Sequence, residues 1–265
     1  MWRSCAQQLA LDRRALPCGF PVHNLATRIT LRKRVIAKCG GRIRGPPVII
    51  FDCNGVLVDS EAIAATVAAQ ELGRAGFSVS PEVIARFFAG RRPTDMMADV
   101  EAATKRKLPE NFATTLAAAT MKRLRAEVRA TAHVAHALTW LRGPKCVASS
   151  SSLDRVRVSL ETTGLLRFFD PYLFSANDVP RGKPSPDLFL HVAAKMRIQP
   201  ADCLVVEDSP AGVAAAHAAG MVPIGFIGGT HTGPNLGAYL TNAGARAVIA
   251  DMRALKSTVV ALRGW

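Results

Sequence analysis

Val48-Ile49-Ile50-Phe51-Asp52-Cys53-Asn54-Gly55-Val56-Leu57-Val58-Asp59-Ser60 decides the fold of this chain. An unbroken apolar run of strand length, Val48 to Phe51, is what a strand buried on both faces of a parallel sheet requires. The run stops at Asp52, and Gly55 lets the backbone turn sharply just beyond it. Asp52 therefore falls at the carboxyl end of a buried strand, the edge at which open α/β sheets bind ligands. A carboxylate there can be a nucleophile toward a phosphoryl group, a metal ligand, or both. Asn54 puts an amide two residues on, where an acid would serve proton transfer better. Taken alone, the same string also suits an ordinary Asp-Asn-Gly turn, so the rest of the chain has to decide.

Downstream, residues 61–75 are rich in alanine and predict a helix stopped near Gly76. Further helices are expected over 81–88, 94–107, 111–129 and 132–141. So long a helical block before the next strand predicts a helical module inserted over residues 62–131. The pattern then alternates. Strands are expected at 145–148, 171–174, 203–206, 221–226 and 247–249, with helices at 153–163, 186–196 and 210–219 between them. Alternation of this kind predicts an α/β fold, a mostly parallel sheet covered on both faces, built from residues 47–61 and 132–265.

Three further polar signals sit where the predicted strands end. Ser149-Ser150-Ser151-Ser152 follows the 145–148 strand. Its hydroxyls and amides, at the start of the next helix, can hold phosphate oxygens, with Ser149 the first choice and Ser150 the second. Lys183, between turn formers in Arg181-Gly182-Lys183-Pro184, offers a point positive charge to phosphate and to the nucleophile. Glu207-Asp208 follows the 203–206 strand, with Ser209 as a helix cap and Pro210 at the first helical position. Together with Asp52 and the main-chain carbonyl of Asn54, these acids form the hard oxygen environment that suits Mg²⁺.

Composition narrows the function classes. The net charge is +14, but residues 1–46 hold ten Lys or Arg against the single acid Asp12. Most of the imbalance thus belongs to a basic extension, read as a disordered tail, an organelle-targeting peptide, or residues translated from a start assigned too early. Its basic run Arg32-Lys33-Arg34 has no aromatic interleaving or recognisable fold, so nucleic-acid binding is not expected. No uncharged apolar run is long enough to cross a membrane. The six cysteines have no paired metal spacing and read as thiols of a reducing, cytoplasmic setting.

The ordered set Asp52-Cys53-Asn54-Gly55-Val56-Leu57-Val58-Asp59-Ser60, Ser149, Lys183 and Glu207-Asp208 resembles the haloacid dehalogenase superfamily hydrolases, in their β-phosphoglucomutase-like and phosphatase-like branch. The resemblance covers residues 47–258. It implies a Rossmann-like core with a helical cap inserted after the first strand. It implies Asp52 as a nucleophile forming an aspartyl-phosphate, Ser149 and Lys183 on the phosphoryl oxygens, and Mg²⁺ at Asp52, the Asn54 main chain and Asp208, supported by Glu207. Gly90-Arg91-Arg92 is similar in placement to a cap loop that recognises substrate. The expected activity is hydrolysis of a small phosphorylated metabolite such as a sugar phosphate. The departure is Asn54, which stands where related enzymes have an aspartate acting as general acid and base. Its loss would cost roughly 10²–10⁴-fold in rate. Mutase-like transfer, haloacid dehalogenation and phosphate sensing without turnover are the alternatives.

Overall fold

The structure, a computed structural model, describes residues 47–263. The basic extension over 1–46, with Cys5, Cys18 and Cys39, lies outside the described residues. The first strand, β1 (Val48–Phe51), is buried along its whole length. It pairs in parallel with β2 (Lys145–Ser149) on one side and with β4 (Cys203–Glu207) on the other. The sheet continues outward to β3 (Leu173–Ser175) beside β2, and to β5 (Val222–Phe226) and β6 (Ala247–Ile249) beside β4. The six strands run in the order β3-β2-β1-β4-β5-β6, every pairing parallel. The chain is an α/β protein with a Rossmann-like sheet, as the alternation predicts.

Although β1 is apolar throughout, the pleat sends alternate side chains to opposite faces. Ile49 and Phe51 join one core with Val147, Leu204 and Val206. Val48 and Ile50 join the other with Cys146, Ala148 and Val205. Fully burying a side chain of this size stabilises by roughly 1.5–3 kcal/mol, so the central strand is anchored from both layers.

Between β1 and β2 lie the helices α1 (Glu61–Arg74), α2 (Pro81–Phe88), α3 (Pro93–Thr104) and α4 (Phe112–Glu127). These pack around their own core of Val67, Leu72, Phe77, Ile84, Met96, Val100 and Leu116, distinct from the two sheet cores. The chain leaves and re-enters the sheet region along adjacent segments. Asp59 N–H donates to Arg129 at 2.9 Å and Thr131 N–H to Leu57 at 3.0 Å. A fifth helix, α5 (Val134–Trp140), leads back into β2. The helices stop earlier than expected at two points: Lys105 turns left-handed with φ 56°, and Val128 is extended with ψ 139°.

The remaining helices cover the sheet: α6 (Leu153–Thr162), α7 (Asp187–Met196), α8 (Pro210–Ala218), α9 (Leu236–Asn242) and α10 (Leu255–Arg263). Helices α9 and α10 were not anticipated. In α10 the run Ser257-Thr258-Val259-Val260 has poor helix propensity, and burial of Leu255 and Val259 against the sheet outweighs it.

Candidate active site

Three strand ends meet at the carboxyl edge of the sheet. β1 delivers Asp52, β2 ends in Ser149, and β4 ends in Glu207 with Asp208 next. Because β1 is central, its end lies beside both neighbours, and Asp52 N–H donates to Val206 at 3.0 Å. Lys183 reaches in from the loop before α7. Its Nζ donates to Asp52 Oδ1 at 2.5 Å, to Glu207 Oε1 at 2.5 Å and to the Ala148 carbonyl at 3.2 Å. All three charged residues are buried.

The loop carrying Lys183 is stiffened locally. Arg181 holds Asp187 through Nε at 3.0 Å and Nη2 at 2.8 Å, and Ser185 Oγ donates to the same carboxylate at 2.6 Å. Ser185 N–H closes a turn onto Gly182. These contacts hold the Asp187 carboxyl down to about 2, with Arg181 the main cause. On the other side, Ser209 caps α8 by accepting from Gly212 N–H at 3.0 Å, and its hydroxyl donates to Glu207 Oε2 at 3.0 Å. A Cβ on Gly212 would fall 2.0 Å from the Glu207 carboxyl, so the helix backs directly onto that side chain.

Electrostatically, the cluster has too few cations. Burial raises the Asp52 carboxyl well above its ordinary value; Lys183 pulls it down, but the charges of Glu207 and Asp208 add to the rise. Glu207 is raised for the same first reason. Burial pulls the Lys183 ammonium down, yet Asp52 and Glu207 outweigh it and hold the lysine above its usual value. One buried lysine thus serves two carboxylates, with Asp208 close by, and a cation brought to the site would relieve them.

The donor set fits a small hard cation that keeps part of its water. Among the described residues no group of three His, Cys, Asp or Glu side chains is gathered as a ready metal cage. Mg²⁺ does not need one, since it binds through one or two carboxylates plus water and substrate phosphate. Asp52 and Asp208 supply those carboxylates. Gly55, at φ +77°, brings the Asn54–Gly55 backbone against Asp208, so closely that a Cβ there would lie 1.9 Å from Oδ2. No side chain but hydrogen fits, and the main chain after Asp52 faces the same small space as Asp208.

The four serines divide their tasks. Ser149 is fully buried and its Oγ accepts from Ser151 N–H at 3.1 Å, leaving its own proton to donate. Ser150 Oγ donates to the Gly90 carbonyl at 2.6 Å, tying the strand end to the inserted helices. Ser151 Oγ accepts from Asn54 Nδ2 at 2.9 Å. Ser152 caps α6 through Arg155 N–H. With Ser60 Oγ donating to Asn54 Oδ1 at 3.0 Å, the amide is held at both ends.

A cavity of about 420 Å³ opens between this edge and the inserted helices. Asp52, Asn54, Gly90, Arg91, Arg92 and Ser150 line it, whereas Ser149, Lys183, Glu207 and Asp208 sit behind its wall. Both arginines face carboxylates of their own. Arg91 donates to Asp99 at 2.7 Å, and Arg92 grips Asp95 with two bonds of 3.0 Å while Nη1 reaches the Pro180 carbonyl at 3.4 Å.

Two residues here escaped the reading of the sequence. His231 Nε2 lies 2.9 Å from Asp208 Oδ2, and its buried Nδ1 has no partner. Arg155 lines the cavity with a buried Nε that is likewise unpartnered. His231 stands in Gly228-Gly229-Thr230-His231, just after β5, so inspection of that strand end would have found it. Asp59 anchors this loop by accepting from Thr230 Oγ1 at 2.9 Å.

A parallel sheet with buried carboxylates at adjacent strand ends and a lysine between them defines an α/β enzyme. The family model for haloacid dehalogenase-like hydrolases matches residues 46–220, and the chain belongs to that family of hydrolases. It is 29% identical over 187 residues to 6-phosphogluconate phosphatase of Escherichia coli (strain K12), covering 70% of this chain and 85% of that one. It is 32% identical over 182 residues to validoxylamine A 7'-phosphate phosphatase of Streptomyces hygroscopicus subsp. limoneus, covering 68% and 84%. Among solved structures, a conserved haloacid dehalogenase-like protein of unknown function from Agrobacterium tumefaciens is 40% identical. It covers 82% of this chain and 99% of its own, with a TM-score of 0.71.

Proposed function

We propose that the chain is a Mg²⁺-dependent phosphomonoester hydrolase of a small phosphorylated metabolite, acting through an aspartyl-phosphate on Asp52. The observation that carries this reading is the Asp52–Lys183–Glu207 cluster at a cavity edge, buried and short of positive charge. The phosphatase relatives support it. Lys183 holds Asp52 Oδ1, so the second carboxylate oxygen is left for attack on phosphorus. Lys183 and Ser149 would bind the non-transferring oxygens, with Ser150 beside them. Asp52, the Asn54 carbonyl and Asp208 would hold Mg²⁺, backed by Glu207, and the ion when bound offsets phosphoryl charge. The inserted helices would act as a cap that excludes bulk water. The chain is expected to act in a cytoplasmic setting, where the buried thiols of Cys53 and Cys146 would stay reduced.

Asn54 holds the place of a proton-transfer group but cannot exchange a proton at ordinary pH. The enzyme is therefore expected to be slow. Phosphate release from an activated aryl phosphate, with Mg²⁺, tests this in three proteins. The chain itself should turn over weakly, Asn54→Asp faster, and Asp52→Ala not at all. Metal binding without turnover in either the chain or Asn54→Asp would instead favour a second reading, phosphate sensing without chemistry, for which Asn54 is the motivating residue. The acids Glu207 and Asp208 argue against metal-free dehalogenation, and Asn54 against mutase chemistry.

A further inference from the structure

Resting on the phosphatase reading, we propose that Arg155 and Glu61 determine specificity by gripping neighbouring hydroxyls on the organic part of the substrate, Arg155 as donor and Glu61 as acceptor.

Arg91, Arg92 and Arg155 all line the cavity, and they differ in one respect. Arg91 is held by Asp99 and Arg92 by Asp95, both carboxylates of α3. Among the described residues the Arg155 side chain has no such partner, although its Nε is buried. A buried donor left unpaired is costly, and a folded protein keeps few of them without a functional reason. The fold itself puts Arg155 there. Ser152 caps α6 by accepting from the Arg155 N–H, and Val156, the next residue, is buried in the core beneath the sheet. The guanidinium therefore reaches the cavity from the sheet side, just beyond the end of β2.

Glu61 is its complement. It opens α1, lines the same cavity and likewise makes no side-chain hydrogen bond or ion pair among the described residues. Burial raises its carboxyl, Asp208 adds to the rise and Arg155 works against it, so the two side chains feel each other's charge without pairing. A hydroxyl accepts and donates at once, and two neighbouring hydroxyls can answer both side chains. A second anion would satisfy Arg155 but would also meet Glu61 and, at the exposed rim, Asp154. An apolar group would leave both charges unanswered. Lys183 and Ser149 serve the phosphoryl end from behind the wall, which leaves Arg155 and Glu61 for the organic part. Ile84, Phe88, Met97 and Leu116 then cover its carbon skeleton.

The test is calorimetric binding, with Mg²⁺, to the full chain, Arg155→Met, Arg155→Lys and Glu61→Gln. Glucose 6-phosphate and cyclohexylmethyl phosphate both carry a six-membered ring on a primary phosphate ester, but only the first has hydroxyls. Fructose 6-phosphate and sorbitol 6-phosphate vary the placing of those hydroxyls. The best-bound hydroxylated ester should bind the chain at least about tenfold tighter than cyclohexylmethyl phosphate. Arg155→Met should shrink that ratio by roughly 10–100-fold, the worth of a hydrogen bond from a charged group. Arg155→Lys keeps the charge but loses the fork, so it should restore only part of the ratio. Glu61→Gln keeps an acceptor oxygen and should lower the ratio by less than Arg155→Met does. Should Arg155→Met not fold, Arg155→Lys and Glu61→Gln carry the same comparison. A residue that merely supports the fold would weaken both kinds of ester alike. A ratio that the substitutions leave unmoved, or a chain that prefers none of the hydroxylated esters, would overturn the inference. Phosphate release from an aryl phosphate, followed in the chain and in Asn54→Asp, judges the phosphatase reading separately. Its absence from both would overturn that reading, while the binding ratio still decides the grip of Arg155 and Glu61.

Discussion

Lys183 is the residue on which the site turns, because it is the one ammonium that two buried carboxylates share. Taking it away would strand Asp52 and Glu207 without a counter-charge. Breaking a buried ion pair from one side typically costs about 3–5 kcal/mol. Lys183→Met is therefore expected to lower unfolding free energy by about that much and to abolish turnover, measured by urea unfolding and phosphate release. A neutral or stabilised Lys183→Met protein would show that the cluster holds no such charge imbalance. Asn54 acts at the same scale and differently: its amide donates to Ser151 and accepts from Ser60, and it carries no exchangeable proton.

At the scale of elements, the site depends on how three strand ends and one loop are held. The loop that carries Lys183 is braced by Asp187 at the start of α7, whose carboxyl is depressed from 3.8 to about 2 by Arg181 and Ser185. A carboxyl lowered by folding stabilises above its unfolded value and loses that contribution as pH falls through the folded one. Asp187→Asn should therefore be less stable than the parent at neutral pH, with the gap closing between about pH 4 and pH 2 in thermal melts. The effect is small, since the pair is exposed to solvent. A gap that stays constant across that range would refute the bracing role.

The strand ends were legible because each has a strong local signature: an apolar run that stops at Asp52, at Ser149 or at Glu207-Asp208. Less legible were features set by packing over distance. Ser149 is buried behind the cavity while Ser151, not singled out, receives the Asn54 amide across 97 residues of sequence. His231 and Arg155 gain their meaning from Asp208 and the cavity, which no local pattern reports. Helix α10 was hidden by its β-branched run, which tertiary burial overrides.

For the whole molecule, the account predicts coupling between cation binding and folding. Carboxylates buried with insufficient positive charge destabilise the metal-free fold, so a ligand that binds only the folded state should raise its stability. Mg²⁺ at about 100 times its Kd should add about 2.7 kcal/mol, and a chelator should reverse the gain. Asp208→Asn should blunt that response in a thermal melt, whereas an equal shift in Asp208→Asn would place the ion elsewhere. The central claim, that Asp52 carries the phosphoryl group, is tested most directly by rapid acid quench and peptide mass spectrometry. The chain would be mixed with Mg²⁺ and an aryl phosphate. We predict a phosphoryl group on the peptide bearing Asp52, more persistent in the chain than in Asn54→Asp because the amide cannot activate water. Phosphate release with no modified Asp52, or with the phosphoryl group on another residue, would contradict the account.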